Sequence, residues 1–412
     1  MRRHNKYECM RPFVITLVVE RIVGEFVRVE VCVGKFVKSL DSDKSAHRIE
    51  LDNACVMIAD RNCCFEACVD NGEYCRYYGI FEYRFKKTGI YWLKFRGNIP
   101  NLQFRDVDAW CCYQYKKTNC GDDEFYEMKI SKGRGEGFNF CERYYFATVE
   151  QWGDIPWRDM SYMFLNCRYL DICAQDVPDL SRVKAMEGMF CGAESMNADI
   201  GNWDVSNVRN MACLFKNCIF FNQPLDRWDT GNVTNMHGLF CGAHRFEQPI
   251  GSWDTGNVTD MSEMFSDAFG FNQPIGEWNT HNVTDMSYMF ADAYCFNQPI
   301  GGWDTGNVRN MQAMLYDAQS FNQPIGGWNT GNVFDMSYMF EHAVSFNQPV
   351  ESWNIRNVKF MVHTFAYALS FNQSLAGWKF DNMSSVLFSN VFVGAKSYSY
   401  PIYEWGRIRL IY

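Results

Sequence analysis

The chain has no run approaching the roughly 18 consecutive apolar residues of a membrane-spanning helix, so no span is expected among its 412 residues. It also has no excess of positive charge. Lys and Arg number 39 against 48 Asp and Glu, a net charge of -9, which argues against a general binder of nucleic acid or anionic membranes. Histidine is scarce, and His237, His244, His281, His342 and His363 are scattered. No catalytic triad and no metal site is expected from them. Cys55, Cys63, Cys64, Cys68 and Cys75 include no C-x-x-C pair and have no supporting His, so zinc is not expected there either. Gly133-Arg134-Gly135-Glu136-Gly137 lacks the Lys-Ser/Thr that completes a phosphate-binding loop and reads as a linker. The calcium-binding nonapeptide pattern of β-rolls is absent. Catalytic, cofactor-binding and metal-ligating residues are therefore all expected to be none.

What is present is a folded composition, 47% hydrophobic and 21% charged, with 17% aromatics. A chain of this length holds two or more domains or one elongated array. Of 18 cysteines, eleven precede residue 142 and none follows Cys295. A chain this long does not need disulfide staples. Cys167 and Cys218 occupy a column that elsewhere holds Ala243, Ala268, Ala293, Ala318, Ala343 and Ala368, where a free thiol acts as a small hydrophobe. A reducing compartment is expected. Three of five glycosylation sequons, at Asn232, Asn257 and Asn282 (the others are at Asn372 and Asn382), sit where the repeat itself uses Asn.

Residues 1–147 read as a small, cysteine-rich antiparallel β domain of sandwich type, closed by a linker. Phe13 to Glu20 and Glu25 to Val33 are strand-like and meet at Gly24, which suggests a hairpin. Ile80 to Phe85 and Tyr91 to Phe95 flank a turn at Lys87-Thr88-Gly89. Arg2, Arg3 and Lys6 before Phe13–Val19 have the order of a signal peptide. The apolar run ends at Glu20-Arg21 without a small-residue cleavage site, so a strand is the expectation.

From residue 148 a 25-residue unit dominates. Trp203, Trp228, Trp253, Trp278, Trp303, Trp328, Trp353 and Trp378 keep that interval without a slip. Trp152 and Trp405 extend the pattern through degenerate caps at about 148–202 and 379–412, as terminal repeats require. Within a unit, Val258, Met261, Met264, Phe265 and Ala268 match one face of a short helix, and Asn257 with Asp260 resembles a capping box. Phe271 to Ile275 reads as a short extended piece, although Pro274 and its counterparts each remove a donor. Asn232, Asn257, Asn282, Asn307 and Asn332 form a column suited to satisfying backbone groups between turns. The fold class expected is α/β: a leucine-rich-repeat-like solenoid of 25-residue turns, each a short strand plus a short helix, over 148–412.

The unit Phe-Asn-Gln-Pro-Ile-Gly-x-Trp, continuing through Asn-Val-Thr-Asp-Met-Ser-x-Met-Phe-x-x-Ala, resembles the repeat of the BspA-like leucine-rich-repeat surface proteins. That group includes the Mycoplasma-type lipoprotein repeat of unknown function. The match runs over about 148–412, and Val149-Glu150-Gln151-Trp152-Gly153-Asp154-Ile155 resembles the start of the family's array. The resemblance implies an α/β solenoid acting in adhesion or other protein–protein contact. Such repeats occur on bacterial and protist surfaces and in large DNA viruses. Without a recognisable signal peptide or anchor, an intracellular or virion-associated setting is expected, with the cell surface as the resemblance's alternative. The expected function is a non-enzymatic interaction scaffold with a protein partner, no nucleic acid and no cofactor. Partner choice would fall to variable positions such as Arg209, Arg309, Phe334, Lys359, Tyr162, Tyr288 and Tyr338. The alternative is a carbohydrate-binding or polysaccharide-acting β-solenoid, with a glycan as ligand.

Overall fold

A computed structural model of the chain describes residues 13–19, 26–32, 49–51, 54–60, 78–84, 89–96, 102–106, 113–120, 123–130, 146–154, 157–380 and 386–400. Trp405, the 133–137 segment, Asn382 and Cys63, Cys64, Cys68 and Cys75 lie outside the described residues. The first strands are β1 (Phe13–Val19), β2 (Phe26–Cys32), β3 (Ile49–Leu51), β4 (Ala54–Asp60) and β5 (Tyr78–Arg84). They are followed by β6 (Gly89–Arg96), β7 (Leu102–Asp106), β8 (Tyr113–Cys120), β9 (Asp123–Ile130), β10 (Phe146–Gln151) and β11 (Tyr169–Ile172). One sheet has the order β11-β10-β1-β6-β4-β3, a second β5-β2-β7, and β8 pairs with β9.

The hairpin expected between β1 and β2 does not form. Both edges of β1 are occupied, by β6 and by β10, so β2 pairs in the other sheet with β5 and β7. The strands around Lys87-Thr88-Gly89 likewise part into different sheets. β10 crosses the expected boundary at 147. It is antiparallel to β1 on one side and parallel to β11 on the other.

No α-helix occurs among the described residues, which corrects the short helix expected in each unit. The segment 258–268 shows why. An α-helix needs each N–H bonded four residues back. Here Met261, Glu263, Phe265 and Asp267 instead donate out of the unit, to the carbonyls of Asp285, Ser287, Met289 and Ala291 at 2.8–3.1 Å. The alternate residues Met264, Ser266 and Ala268 close turns onto Met261, Glu263 and Phe265. Glu263 (φ 55) and Asp267 (φ 58) are left-handed, a conformation that ends a right-handed helix. The capping box is also absent: Asp260 accepts from the N–H of Ser262, two residues on.

The same donor pattern joins each unit to the next. Parallel single-residue bridges link Ala185, Asn210, Asn235, Asp260, Asp285, Asn310, Asp335 and Phe360 in succession. Beyond them β12 (Phe360–Val362) pairs in parallel with β13 (Leu387–Ser389). The donors His363, Phe365 and Tyr367 reach Ser389, Val391 and Val393. That step is two residues longer than in the regular units, so the last described turn absorbs a two-residue insertion.

The core is a set of columns running through all the units. Phe265 stacks on Phe271 of its own unit with ring centroids 3.9 Å apart, and on Phe240 and Phe290 of the adjacent units at 5.8 and 5.7 Å. Trp278 stacks on Trp253 and Trp303 at 6.5 and 6.4 Å. Its indole N–H donates to the Ile250 carbonyl at 3.1 Å, so a buried polar group is paired as burial demands. Each large side chain so enclosed contributes roughly 1.5–3 kcal/mol. Replacing Trp278 by Ala is expected to destabilise the protein by at least about 3 kcal/mol, from lost burial plus a cavity. Denaturant unfolding would measure it, and a near-neutral effect would contradict a buried column.

Candidate interaction surface

The predicted ladder residues face inward or bind backbone. The tryptophans Trp203 to Trp378 are all buried, at 2–4% exposure, and so offer no stacking platform to a ligand. The first Asn column bonds unit to unit. Asn232, Asn257, Asn282, Asn307 and Asn332 donate to the carbonyls of Ser206, Gly231, Gly256, His281 and Gly306 at 2.6–2.8 Å. A glycan on Asn232, Asn257 or Asn282 would modify a nitrogen already used in this way.

The second Asn column resolves the proline conflict. No strand forms at Phe271 to Ile275; side chains do the bonding instead. The Asn272 carboxamide oxygen accepts from the Asn297 N–H at 3.0 Å and from the Gln298 side chain at 3.0 Å. The pattern repeats from Asn297 to Asn322 and Gln323. The missing proline donor therefore leaves no gap in a strand ladder. Phe-Asn-Gln-Pro reads physically as an inner ring, an acceptor, a donor and a residue that needs no donor.

Two stripes of variable residues remain. The first holds Lys184, Arg209, Thr234, Thr259, Thr284, Arg309, Phe334 and Lys359, joined in turn by backbone bonds such as Phe334 N–H to Arg309 at 2.7 Å. Beside it, Asn282, Thr284, Asn307, Arg309 and Asn332 line an open polar hollow of about 530 Å³. The second stripe follows the left-handed positions. Tyr162, Gly188, Cys213, Gly238, Glu263, Tyr288, Ala313, Tyr338 and His363 all have φ between 51 and 62. Gly188 is the clearest case of need, since a Cβ there would lie 2.7 Å from the Tyr162 ring. On this stripe Tyr288 is 37% exposed and Tyr338 is half-buried; Tyr367, 41% exposed, follows His363 by four residues on a second left-handed column.

Four residues along, the second left-handed column holds Asp267, Asp292 and Asp317 in successive units. Burial, then the like charges of Asp267 and Asp317, pushes Asp292 up to about 6. Sequence reasoning missed this column. Its signal was the shared place just before Ala268, Ala293 and Ala318.

The histidines occupy separate neighbourhoods. His237 meets Ser262, His281 meets Asp304, His363 meets Glu341, and His244 and His342 stack on Phe269 and Tyr367. Among the described residues no group of three or more His, Cys, Asp or Glu is placed to hold a metal. Cys167, Cys173, Cys191, Cys213, Cys218, Cys241 and Cys295 are free thiols. Burial pushes Cys213 up to about 12 and Cys241 up to about 11, which keeps both protonated and poorly nucleophilic at neutral pH.

The sequence profile of the family described as Mycoplasma protein of unknown function, DUF285, matches residues 158–268, 221–319 and 297–405. The chain belongs to the DUF285 family. No curated protein and no solved structure matches it. The three DUF285 matches cover the units that carry both stripes and the hollow.

The Asp292 shift has a definite sign. A carboxyl whose folded pKa is raised binds its proton more tightly in the folded state, so its contribution to stability is greatest below about pH 4 and is lost as pH rises through about 6. Asp292→Asn is therefore expected to raise the melting temperature at pH 7 and to leave it unchanged near pH 3.5. Paired thermal melts at the two pH values check this; a loss of stability at pH 7 would contradict it.

Proposed function

We propose that this DUF285 chain is a non-enzymatic scaffold for protein–protein contact, built as a BspA-like solenoid whose units stack through backbone bonds. One observation carries the reading. The letters that recur from unit to unit are used up in packing and in unit-to-unit bonding, while exposed and half-buried aromatics collect at its variable positions. Tyr288, Tyr338 and Tyr367 lie on the left-handed columns, beside Asp267, Asp292 and Asp317. Tyrosine gives large contact area at low entropic cost and is enriched where binding energy concentrates. The acidic column beside it favours a partner surface of opposite charge.

The absence of enzymatic activity draws support from the five separate histidine neighbourhoods and from thiols held protonated. An intracellular or virion-associated setting is supported by the free thiols. Adhesion at a surface is the role that the BspA-like resemblance implies.

Replacing Tyr288, Tyr338 and Tyr367 together by Gly keeps left-handed backbone that glycine adopts without strain, so folding should persist. Affinity capture from the native source is expected to recover a protein partner with the unaltered chain and to lose it with the triple variant, while melting temperature is held or raised. Equal recovery by both would contradict this face, and turnover of a polysaccharide by the unaltered chain would contradict a non-enzymatic scaffold.

A further inference from the structure

The hollow beside Arg309 has no part in the tyrosine face, and its chemistry points elsewhere. Arg309 is exposed. Its backbone N–H is used, donating to Thr284 at 2.9 Å, but its guanidinium makes no hydrogen bond or ion pair among the described residues. The carboxylates of the neighbouring stripes are already engaged. Asp304 accepts from Gly306 N–H at 3.0 Å and meets His281 at 2.8 Å. Asp285 accepts from Ser287 and from the Asn310 side chain, and Asp335 accepts from Ser337. A guanidinium with a fork of unused donors thus opens onto a polar hollow, on a chain that is acidic overall.

The rest of the lining is amide and hydroxyl. Asn282, Asn307 and Asn332 each spend one carboxamide N–H on the preceding unit at 2.6–2.7 Å. Each keeps a second N–H and a carbonyl oxygen, one donor and one acceptor per unit. Thr284 donates its hydroxyl to the Thr259 carbonyl at 3.1 Å and keeps acceptor capacity. Phe334 follows Arg309 on the same stripe, outside the five lining residues; it is 42% exposed, and its ring meets Phe360 edge-on at 5.1 Å.

We propose that this hollow is a binding site for a carboxylated pyranose, an acidic sugar. The carboxylate pairs with Arg309, since a planar guanidinium matches a carboxylate in a bidentate fork. The amide row meets ring hydroxyls, which both donate and accept as the amides do. Phe334 supplies an apolar face for the C–H side of the ring. An acidic peptide also carries donors and acceptors along its backbone, so poly-glutamate is the comparator that separates it from a sugar. A nucleic-acid strand would bring several phosphates alongside Asp285, Asp304 and Asp335. The site is non-catalytic and shares no lining residue with the proposed protein-binding face, so either can fail without the other.

The test is titration of the full chain with a galacturonate trisaccharide and with sialyllactose, which separate a polyuronate from a sialylated glycan as the source. Maltotriose, poly-glutamate and oligo-dT serve as comparators. At least one acidic sugar should bind in preference to all three comparators. Arg309→Gln should weaken it by at least about tenfold, the equivalent of one charge-assisted contact, and Phe334→Ala by a smaller factor. Arg209→Gln, in the same stripe but outside the hollow, should leave affinity unchanged, and all three variants should melt with the parent. The proposal is overturned if neither acidic sugar binds or if maltotriose binds equally well. It also falls if poly-glutamate or oligo-dT binds as tightly, or if Arg209→Gln costs as much as Arg309→Gln.

Discussion

Everything in the repeat array depends on backbone N–H groups that bond out of their own unit. Met261, Glu263, Phe265 and Asp267 send theirs to the unit that follows, and Thr259 sends its N–H back to Thr234. Because these bonds recur at a fixed sequence offset, side chains of like position are brought into line. A hydrophobic residue in one unit then meets its own kind in the next, as Phe240, Phe265 and Phe290 do at under 6 Å. The period of the sequence is thus a consequence of hydrogen bonding as much as of packing. Insertion or loss of a residue inside the bonded segments breaks that alignment, whereas the two extra residues between Trp378 and Leu387 leave Phe392 and Tyr398 still stacked on Phe365 and Phe371.

Polar side chains take the places where the backbone cannot bond. Thr255, Thr280 and Thr305 donate to the carbonyls of Asn279, Asp304 and Asn329 at 2.9–3.0 Å. Asp254 and Asp304 cap local turns by accepting from Gly256 and Gly306. Together with the two Asn columns these give nearly every recurrent polar letter of the unit a bonding role, as burial of backbone requires. Thr364 is an exception. It occupies the column of Met264, Met289, Met314 and Met339 and leaves its hydroxyl buried without a partner, close to the end of the regular array.

Much of this was legible in the sequence. The invariant spacing of Trp228 to Trp378 announced a repeated unit, and the Met, Phe and Ala columns announced its inner face. The character of the segment between Val258 and Ala268 was not legible from apolar spacing. A stretch of eleven residues with apolar side chains at intervals of three and four fits a helix, and it fits a chain of tight turns equally well. The deciding facts were where the N–H groups go and where φ is positive. One clue was available: Gly188 with Gly192, and Gly238 with Gly242, stand four apart at what a helix would make its interior. Glycine there marks left-handed backbone, and the non-glycine residues at the same positions hid it. The hollow at Arg309 was only half legible, because Arg309 and Phe334 were visible as departures from the unit but their common stripe needed the register. The acidic column needed it too.

The central claim, that fixed-offset bonding between units sets the architecture, is tested most directly by removing whole and broken units. Excising residues 273–297 joins Asn272 to Gln298 and restores the motif with every column in line. Excising residues 273–296 leaves one residue too many. Equilibrium unfolding of the two deletion proteins decides the matter. The account predicts one cooperative transition close to the parent's for the first, and a large loss of stability or of cooperativity for the second. Two equally stable deletion proteins would contradict it.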